Sequence, residues 1–163
     1  MQEILIAPFS DADQQGVLDV ILPIQQREFG IPITAADQPD LADIPGFYQS
    51  GTGGFWVARS NGEVVGTVGL KDIGLGRTAL RKMFVAAPFR GRELGVAGKL
   101  LDVLLAHCRA KGVAEIFLGT TDKFLAAHRF YEKRNFRELS KAELPEAFPV
   151  MAVDSKFYVL SVS

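Results

Sequence analysis

The 163-residue chain has one cysteine, Cys108. It can form no internal disulfide, and its thiol content fits a reducing compartment. Long apolar runs are missing too: nothing approaches the ~18 residues of a membrane-spanning helix. The opening "MQEILIAPFSDADQQ" has no basic start followed by an apolar core, so no export signal is expected. Neither sign of charge is in excess, with 18 Lys+Arg against 19 Asp+Glu and a net charge of -1. That balance argues against holding nucleic acid or an anionic membrane through the overall field. Only two histidines, His107 and His128, are present. They are isolated, and no spacing suits a metal. Repeats, low-complexity segments and linkers are absent. With 48% hydrophobic residues, the expectation is one soluble, cytoplasmic domain over residues 1–163, without nucleic-acid, membrane or metal partners.

What is present alternates between two periods. Residues 3–9, "EILIAPF", read as a first strand. Val17, Leu18, Ile21, Ile24 and Phe29 then fall near helical spacing over residues 11–29, with Ser10 or Asp11 as cap and Pro23 as a bend. Residues 30–54 are rich in glycine, proline and aspartate and read as short helical turns and loops over a surface, suited to a lid or substrate wall. Two β-rich runs, residues 54–60 and 63–72, meet at Asn61-Gly62, a dipeptide suited to a tight hairpin. A third strand covers residues 78–86. A helix follows whose apolar stripe is Leu94, Ala97, Leu101, Leu104, Leu105 and Cys108, stopping at Gly112. "VAEIFLGTT" is an apolar strand, "DKFLAAHRFYEKRNF" is helical with Asn135 as a left-handed cap, and two strands close the chain around a proline-marked loop. The middle strand, glycine-rich turn, helix and strand form a βαβ unit. The expected fold class is α/β (α+β): a mixed, mostly antiparallel sheet of about six to seven strands flanked by about four helices.

The glycine-rich turn "FRGRELGVAGKLL" carries the chemistry. Between residues 77 and 99 the basic residues are Arg77, Arg81, Lys82, Arg90, Arg92 and Lys99, and Glu93 is the only acid. Free N–H groups and the dipole at a helix start add positive potential there, and Gly91 and Gly95 let backbone approach an anion. Together these features suit a phosphate. Neither a dinucleotide fingerprint nor a P-loop fits in register, because Gly98-Lys99 is followed by Leu100.

Two motifs resemble the GNAT N-acetyltransferase superfamily. Arg92 to Ala97, "RELGVA", matches R-x-x-G-x-[GA], and Leu100-Leu101 follow in place. "AAHRFYEKRNF" resembles A-x-x-x-Y-E-K-x-G-F through Ala127, Tyr131, Glu132, Lys133 and Phe136. The resemblance implies a single GNAT domain that transfers the acetyl group of acetyl-CoA to the amine of a small molecule, such as an amino acid, by direct attack. It implies coenzyme A contacts at Phe84, Val85, Arg90, Gly91, Arg92, Glu93, Leu94, Gly95, Val96, Ala97, Thr120, His128 and Tyr131. It also implies a homodimer, which is common among relatives. Catalysis would rest on a backbone N–H near Phe84 and Val85 that polarises the thioester carbonyl, and on Tyr131 facing the departing thiolate. With an ordinary thiol near 8.5 and a phenol near 10, Tyr131 serves better as hydrogen-bond donor than as strong acid.

Two departures stand out. Phe124 occupies the place of an Asn that contacts pantetheine, leaving Thr120, Thr121 and His128 as replacements; Asn135 replaces a glycine. Acceptor contacts are expected at Glu28, Phe29 and Arg81. Alternation along residues 78–86 sends Arg81 and Lys82 to opposite faces, so at most one of them would reach the cleft. An acceptor ammonium near 10.4 leaves roughly one molecule in a few thousand nucleophilic at pH 7. A base is therefore needed, yet "TALRKMFV" contains no acid. Glu28, Asp72, a water chain or a low-pKa amine are the open choices. The competing reading is a non-catalytic acyl-CoA-binding domain, and a nucleotide-binding Rossmann protein is a distant third.

Overall fold

Asn61 and Gly62 both adopt positive φ, 51° and 81°, as a type I′ hairpin requires. They join β2 (Gly54–Ser60) to β3 (Glu63–Gly74). The computed structural model describes residues 3–91, 93–122 and 125–162. A second tight turn at Leu75 and Gly76, φ 57° and 74°, leads into β4 (Arg77–Val85). With β1 (Ile4–Pro8), β5 (Glu115–Thr120), β6 (Arg137–Leu139) and β7 (Lys156–Ser161) these strands make one sheet, ordered β1-β2-β3-β4-β5-β7-β6. Every neighbouring pair is antiparallel except β4 and β5. The mixed, mostly antiparallel expectation is met.

The first helix is shorter than its periodicity suggests. α1 (Gln14–Pro23) gives way at Pro23 to a wider turn, Ile24–Glu28, closed by the Phe29 N–H on the Ile24 carbonyl at 3.0 Å. Proline lacks the N–H that an unbroken ladder would use, and the register changes there. The segment read as short helical turns and loops holds two single-turn helices, α2 (Pro39–Ala42) and α3 (Ile44–Phe47). α4 (Val96–Lys111) starts two residues after Leu94, because Gly95 lies in the left-handed region at φ 58°. Gly112 ends it at φ 72°, and Asn135, φ 71°, follows α5 (Leu125–Lys133) as expected.

Helices cover both faces of the sheet. Leu100, Leu101, Leu104 and Cys108 of α4 and Tyr131 of α5 pack with Trp56, Val68, Leu80 and Leu118 on one face. On the other, Val17 and Ile21 of α1, Leu41, Ile44 and Tyr48 meet Phe55 and Val57. The rest of that second face, under Ala79 and Phe117, is covered by Phe148 from the β6–β7 connection.

Candidate active site

The two parallel strands do not stay together. β4 and β5 pair at Arg77↔Glu115, Thr78↔Ile116 and Ala79↔Phe117, and the ladder then ends, although β4 continues to Val85 and β5 to Thr120. Past that point the strands form a fork. A cavity of about 930 Å³ runs through it, lined by β4 from Leu80 to Val85 and by Leu118 to Thr121. Tyr131 and Ala127 of α5 line it from the α4–α5 face, and Phe148, Met151 and Asp154 from the opposite one. Ile31 and Pro32 supply a further apolar wall. The fork therefore opens the sheet from face to face and exposes strand backbone inside an apolar hole.

Inside the fork, β4 carries a bulge. Gly69 pairs with Arg81 and Thr67 with Phe84, so Val68 alone opposes Lys82 and Met83. Lys82 takes φ 57°, a conformation that costs a non-glycine residue about 1 kcal/mol or more. Two interactions hold it there. Fully buried Thr67 donates its hydroxyl to the Lys82 carbonyl at 2.7 Å. The Lys82 ammonium lies 2.6 Å from Gln38 Oε1 and 3.6 Å from Asp40, whose carboxylate also accepts the Tyr48 hydroxyl at 2.6 Å. Burial pushes the Lys82 pKa down, against the pull of Asp40. The extra residue cancels the alternation, so Arg81 and Lys82 both line the cavity and the expected opposition is lost.

The remaining sequence-derived residues divide by location. Phe84, Val85, Arg90, Thr120 and Tyr131 line the cavity, as do Phe29 and Arg81. Glu28 does not; it forms a two-point ion pair with Arg90, 2.6 and 3.0 Å, while Arg90 Nε donates to the Val85 carbonyl at 2.8 Å. This clasp ties the turn after α1 to the segment after β4. Gly91, Glu93, Leu94, Gly95, Val96 and Ala97 form the turn into α4, outside the cavity lining, with Gly91 at φ 110°. Arg92 and Phe124 lie outside the described residues. His128 is buried, its Nε2 2.8 Å from the Thr121 carbonyl, and it stands behind the lining. Asp72 is remote from the cavity: it accepts from the Thr52 and Gly74 N–H groups, which hold its carboxyl below the usual range. Glu28 and Asp72 are thus poorly placed as bases.

Tyr131 is 6% exposed, and no hydrogen bond reaches its hydroxyl among the described residues. Burial raises its pKa, so it keeps its proton. Asp154 is the residue that sequence reasoning missed. It sits in the β6–β7 connection, lines the cavity, and has its carboxyl pushed up by burial despite the Met151 N–H and Arg81. In sequence it is an ordinary loop acid, and only tertiary packing brings it to the fork. Among the described residues there is no cluster of His, Cys, Asp and Glu fit for a metal, and no helix is long and apolar enough to cross a membrane.

Comparison with known proteins gives the same picture. Residues 18–136 match the Acetyltransferase (GNAT) family. A mouse protein, "Probable N-acetyltransferase family 8 member 5", is 35% identical over 107 residues, covering 64% of this chain and 47% of its own length. A zebrafish (Danio rerio) N-acetylaspartate synthetase is 37% identical over 106 residues, covering 64% of this chain and 37% of its own. The chain thus spans less than half the length of these curated relatives. The crystal structure of an acetyltransferase of the GNAT family from Staphylococcus aureus Mu50 superposes with a TM-score of 0.93 at 38% identity, over 99% of this chain and 100% of that one.

Proposed function

The chain belongs to the acetyltransferase (GNAT) family, and on that premise we propose that residues 1–163 act as one N-acetyltransferase domain, moving the acetyl group of acetyl-CoA to a small-molecule amine by direct attack. The observation that carries this reading is the fork between β4 and β5, with its cavity open to both faces of the sheet. Coenzyme A binds on the α4–α5 face, its pyrophosphate at the Gly91 to Ala97 turn and its pantetheine arm in the fork beside Phe84, Val85 and Thr120. The left-handed Gly95, φ 58°, suits this role, since it leaves the first N–H groups of α4 without a side chain in front of them.

Bound there, acetyl-CoA supplies the activated acyl group. The protein's part is positional and electrostatic. Backbone N–H groups of the β4 bulge segment polarise the carbonyl, and Tyr131 donates a hydrogen bond to the leaving sulfur. The acceptor enters from the opposite face, between Phe29, Ile31 and Met151. Arg81 has no carboxylate within ion-pair distance among the described residues; its guanidinium donates to the Met151 sulfur at 3.4 Å and lies 5.5 Å from the centre of the Phe47 ring. A guanidinium without a carboxylate partner favours an amine bearing a carboxylate, such as an amino acid. A single cysteine fits a reaction carried out in a reducing compartment such as the cytoplasm.

The test is calorimetric titration with acetyl-CoA together with thiol release across a panel of amines and amino acids. Saturable binding and turnover on a carboxylate-bearing amine are expected. Tight binding with no turnover on any amine, alkaline conditions included, would instead make this an acyl-CoA-binding domain.

A further inference from the structure

The acceptor nitrogen must lose a proton, and β4 offers no acid to take it. The cavity lining contains two carboxylates, Asp37 and Asp154. Asp37 is exposed and committed to its own turn, accepting from the Thr34 N–H and hydroxyl, both at 3.0 Å. Asp154 is different. Its Oδ2 accepts the Met151 N–H at 2.9 Å, and no hydrogen bond to Oδ1 is made among the described residues.

Its position follows from Gly119. A Cβ on Gly119 would lie 2.6 Å from Asp154 Oδ2, so the carboxylate fills the space that a side chain there would take. Gly119 is two residues beyond Phe117 on β5, and Arg81 is two beyond Ala79 on β4, with Ala79↔Phe117 the last pair before the strands part. Asp154 and Arg81 therefore stand at the apex of the fork, on the face away from Tyr131. Phe117 and Ala79 belong to that face, and Leu118 and Leu80 to the other.

We propose that Asp154 is the catalytic residue that takes the proton from the acceptor amine, with Arg81 beside it to hold the acceptor's carboxylate. This rests on the transferase reading given above. As the neutral amine nitrogen bonds to the acetyl carbon, its N–H becomes acidic and the proton passes to Asp154 Oδ1. The C–S bond then breaks, its electron pair leaves on the coenzyme A sulfur, and Tyr131 steadies that sulfur from the other face. Asp154 returns its proton to solvent through the open cavity. Burial raises the Asp154 carboxyl toward the range useful for a base near neutral pH. The other charged groups around the cavity are already committed: Lys82 of β4 to Asp40 of α2, Arg90 to Glu28 beyond α1, and Asp37 to its turn. Tyr131 of α5 keeps its proton, so among the protein's groups around the cavity it is Asp154 that sets an acid limb, below the one set by ionisation of the acceptor amine.

The experiment compares wild type, Asp154→Asn and Asp154→Glu as full chains, measuring kcat/KM for the best acceptor against pH at saturating acetyl-CoA. Asn keeps an oxygen for the Met151 N–H. A drop in kcat/KM of about 10²- to 10⁴-fold is expected, with the lower acid limb lost and only that of the acceptor amine kept, acetyl-CoA affinity unchanged and activity partly restored by Glu. An Asn variant within about threefold of wild type, or one retaining the lower acid limb, overturns the assignment while leaving the transferase reading intact. Wild-type protein that binds acetyl-CoA and turns over no amine overturns both. If Asp154→Asn melts early, the wild-type profile against Asp154→Glu decides: a lower acid limb that fails to move on lengthening the side chain refutes the role.

Discussion

Replacing Tyr131 with phenylalanine separates chemistry from packing. The ring lies edge-on to Phe130 and Phe136, with centroids at 5.5 and 5.4 Å, and 6.1 Å from Tyr158. Phenylalanine retains every one of those contacts. Because the hydroxyl makes no hydrogen bond to the described residues, its removal orphans nothing. Stability should change by less than about 0.5 kcal/mol, roughly 1–2 °C in Tm for a chain of this size. The catalytic loss should be larger. A buried phenol held in its protonated form is a donor, and a hydrogen bond to a charged sulfur contributes about 1.5 to 3 kcal/mol, or roughly 10- to 150-fold in rate. Single-turnover mixing of enzyme, acetyl-CoA and amine, followed by thiol appearance, isolates that step. Calorimetry should show acetyl-CoA affinity changed by less than the rate. An unchanged single-turnover rate would assign Tyr131 to packing alone, and a fall of many degrees in Tm would refute the claim that its hydroxyl is unbonded.

Thiol detection also probes Cys108, which is fully buried and whose thiol burial raises to about 12. Disulfide reagents should label it only in denaturant; fast labelling of the folded chain would contradict its place in the core. Gly95→Ala introduces a side chain at φ 58° and should cost about 1–2 kcal/mol of stability, whereas Gly95→Glu should also weaken coenzyme A binding more than tenfold through like charge at the helix start, about 1.4 kcal/mol or more. Equal affinities by calorimetry would remove the turn from the binding site. Asp13 makes a two-oxygen pair with Arg59, 2.6 and 2.8 Å; burial pushes its carboxyl up, but Arg59 and the Ser10 amide outweigh that and hold it below its usual value. Its contribution is thus complete above the unfolded value near 3.9 and disappears as pH falls through the lower folded one. Asp13→Asn should cost about 2 kcal/mol at pH 7, since Arg59 is partly exposed, and the gap should close in acid; chemical melts with a pH-independent gap would refute the pairing.

Turns and caps were legible because their conformations demand particular residues: Asn61-Gly62, Gly95, Gly112 and Asn135 all take the positive φ their chemistry suggests. The fork could not be read from the residues, since nothing in β4 or β5 marks where the parallel ladder stops. The bulge left no trace, because lysine rather than glycine occupies its left-handed position and the two interactions that hold it come from Thr67 and from α2. One unmarked residue was enough to invert the side-chain alternation read beyond it. Asp154 was invisible for a related reason: what distinguishes it is the missing side chain of Gly119, far away in sequence.

Under the proposed function, one wall of the fork, the β6–β7 connection, is left to the acceptor alone, although Arg81 of β4 also serves that substrate. In that reading, donor contacts come from β4, Thr120 of β5, the turn into α4 and α5, whereas the far wall of the acceptor space is the β6–β7 connection, whose Phe148, Met151 and Asp154 line the cavity. That connection contributes no rung to the sheet between Leu139 and Lys156. Evolution, or a library confined to residues 145–153, can therefore retune which amine is accepted while the cofactor machinery stays intact. Acceptor diversity on a constant donor site is what this division of labour permits.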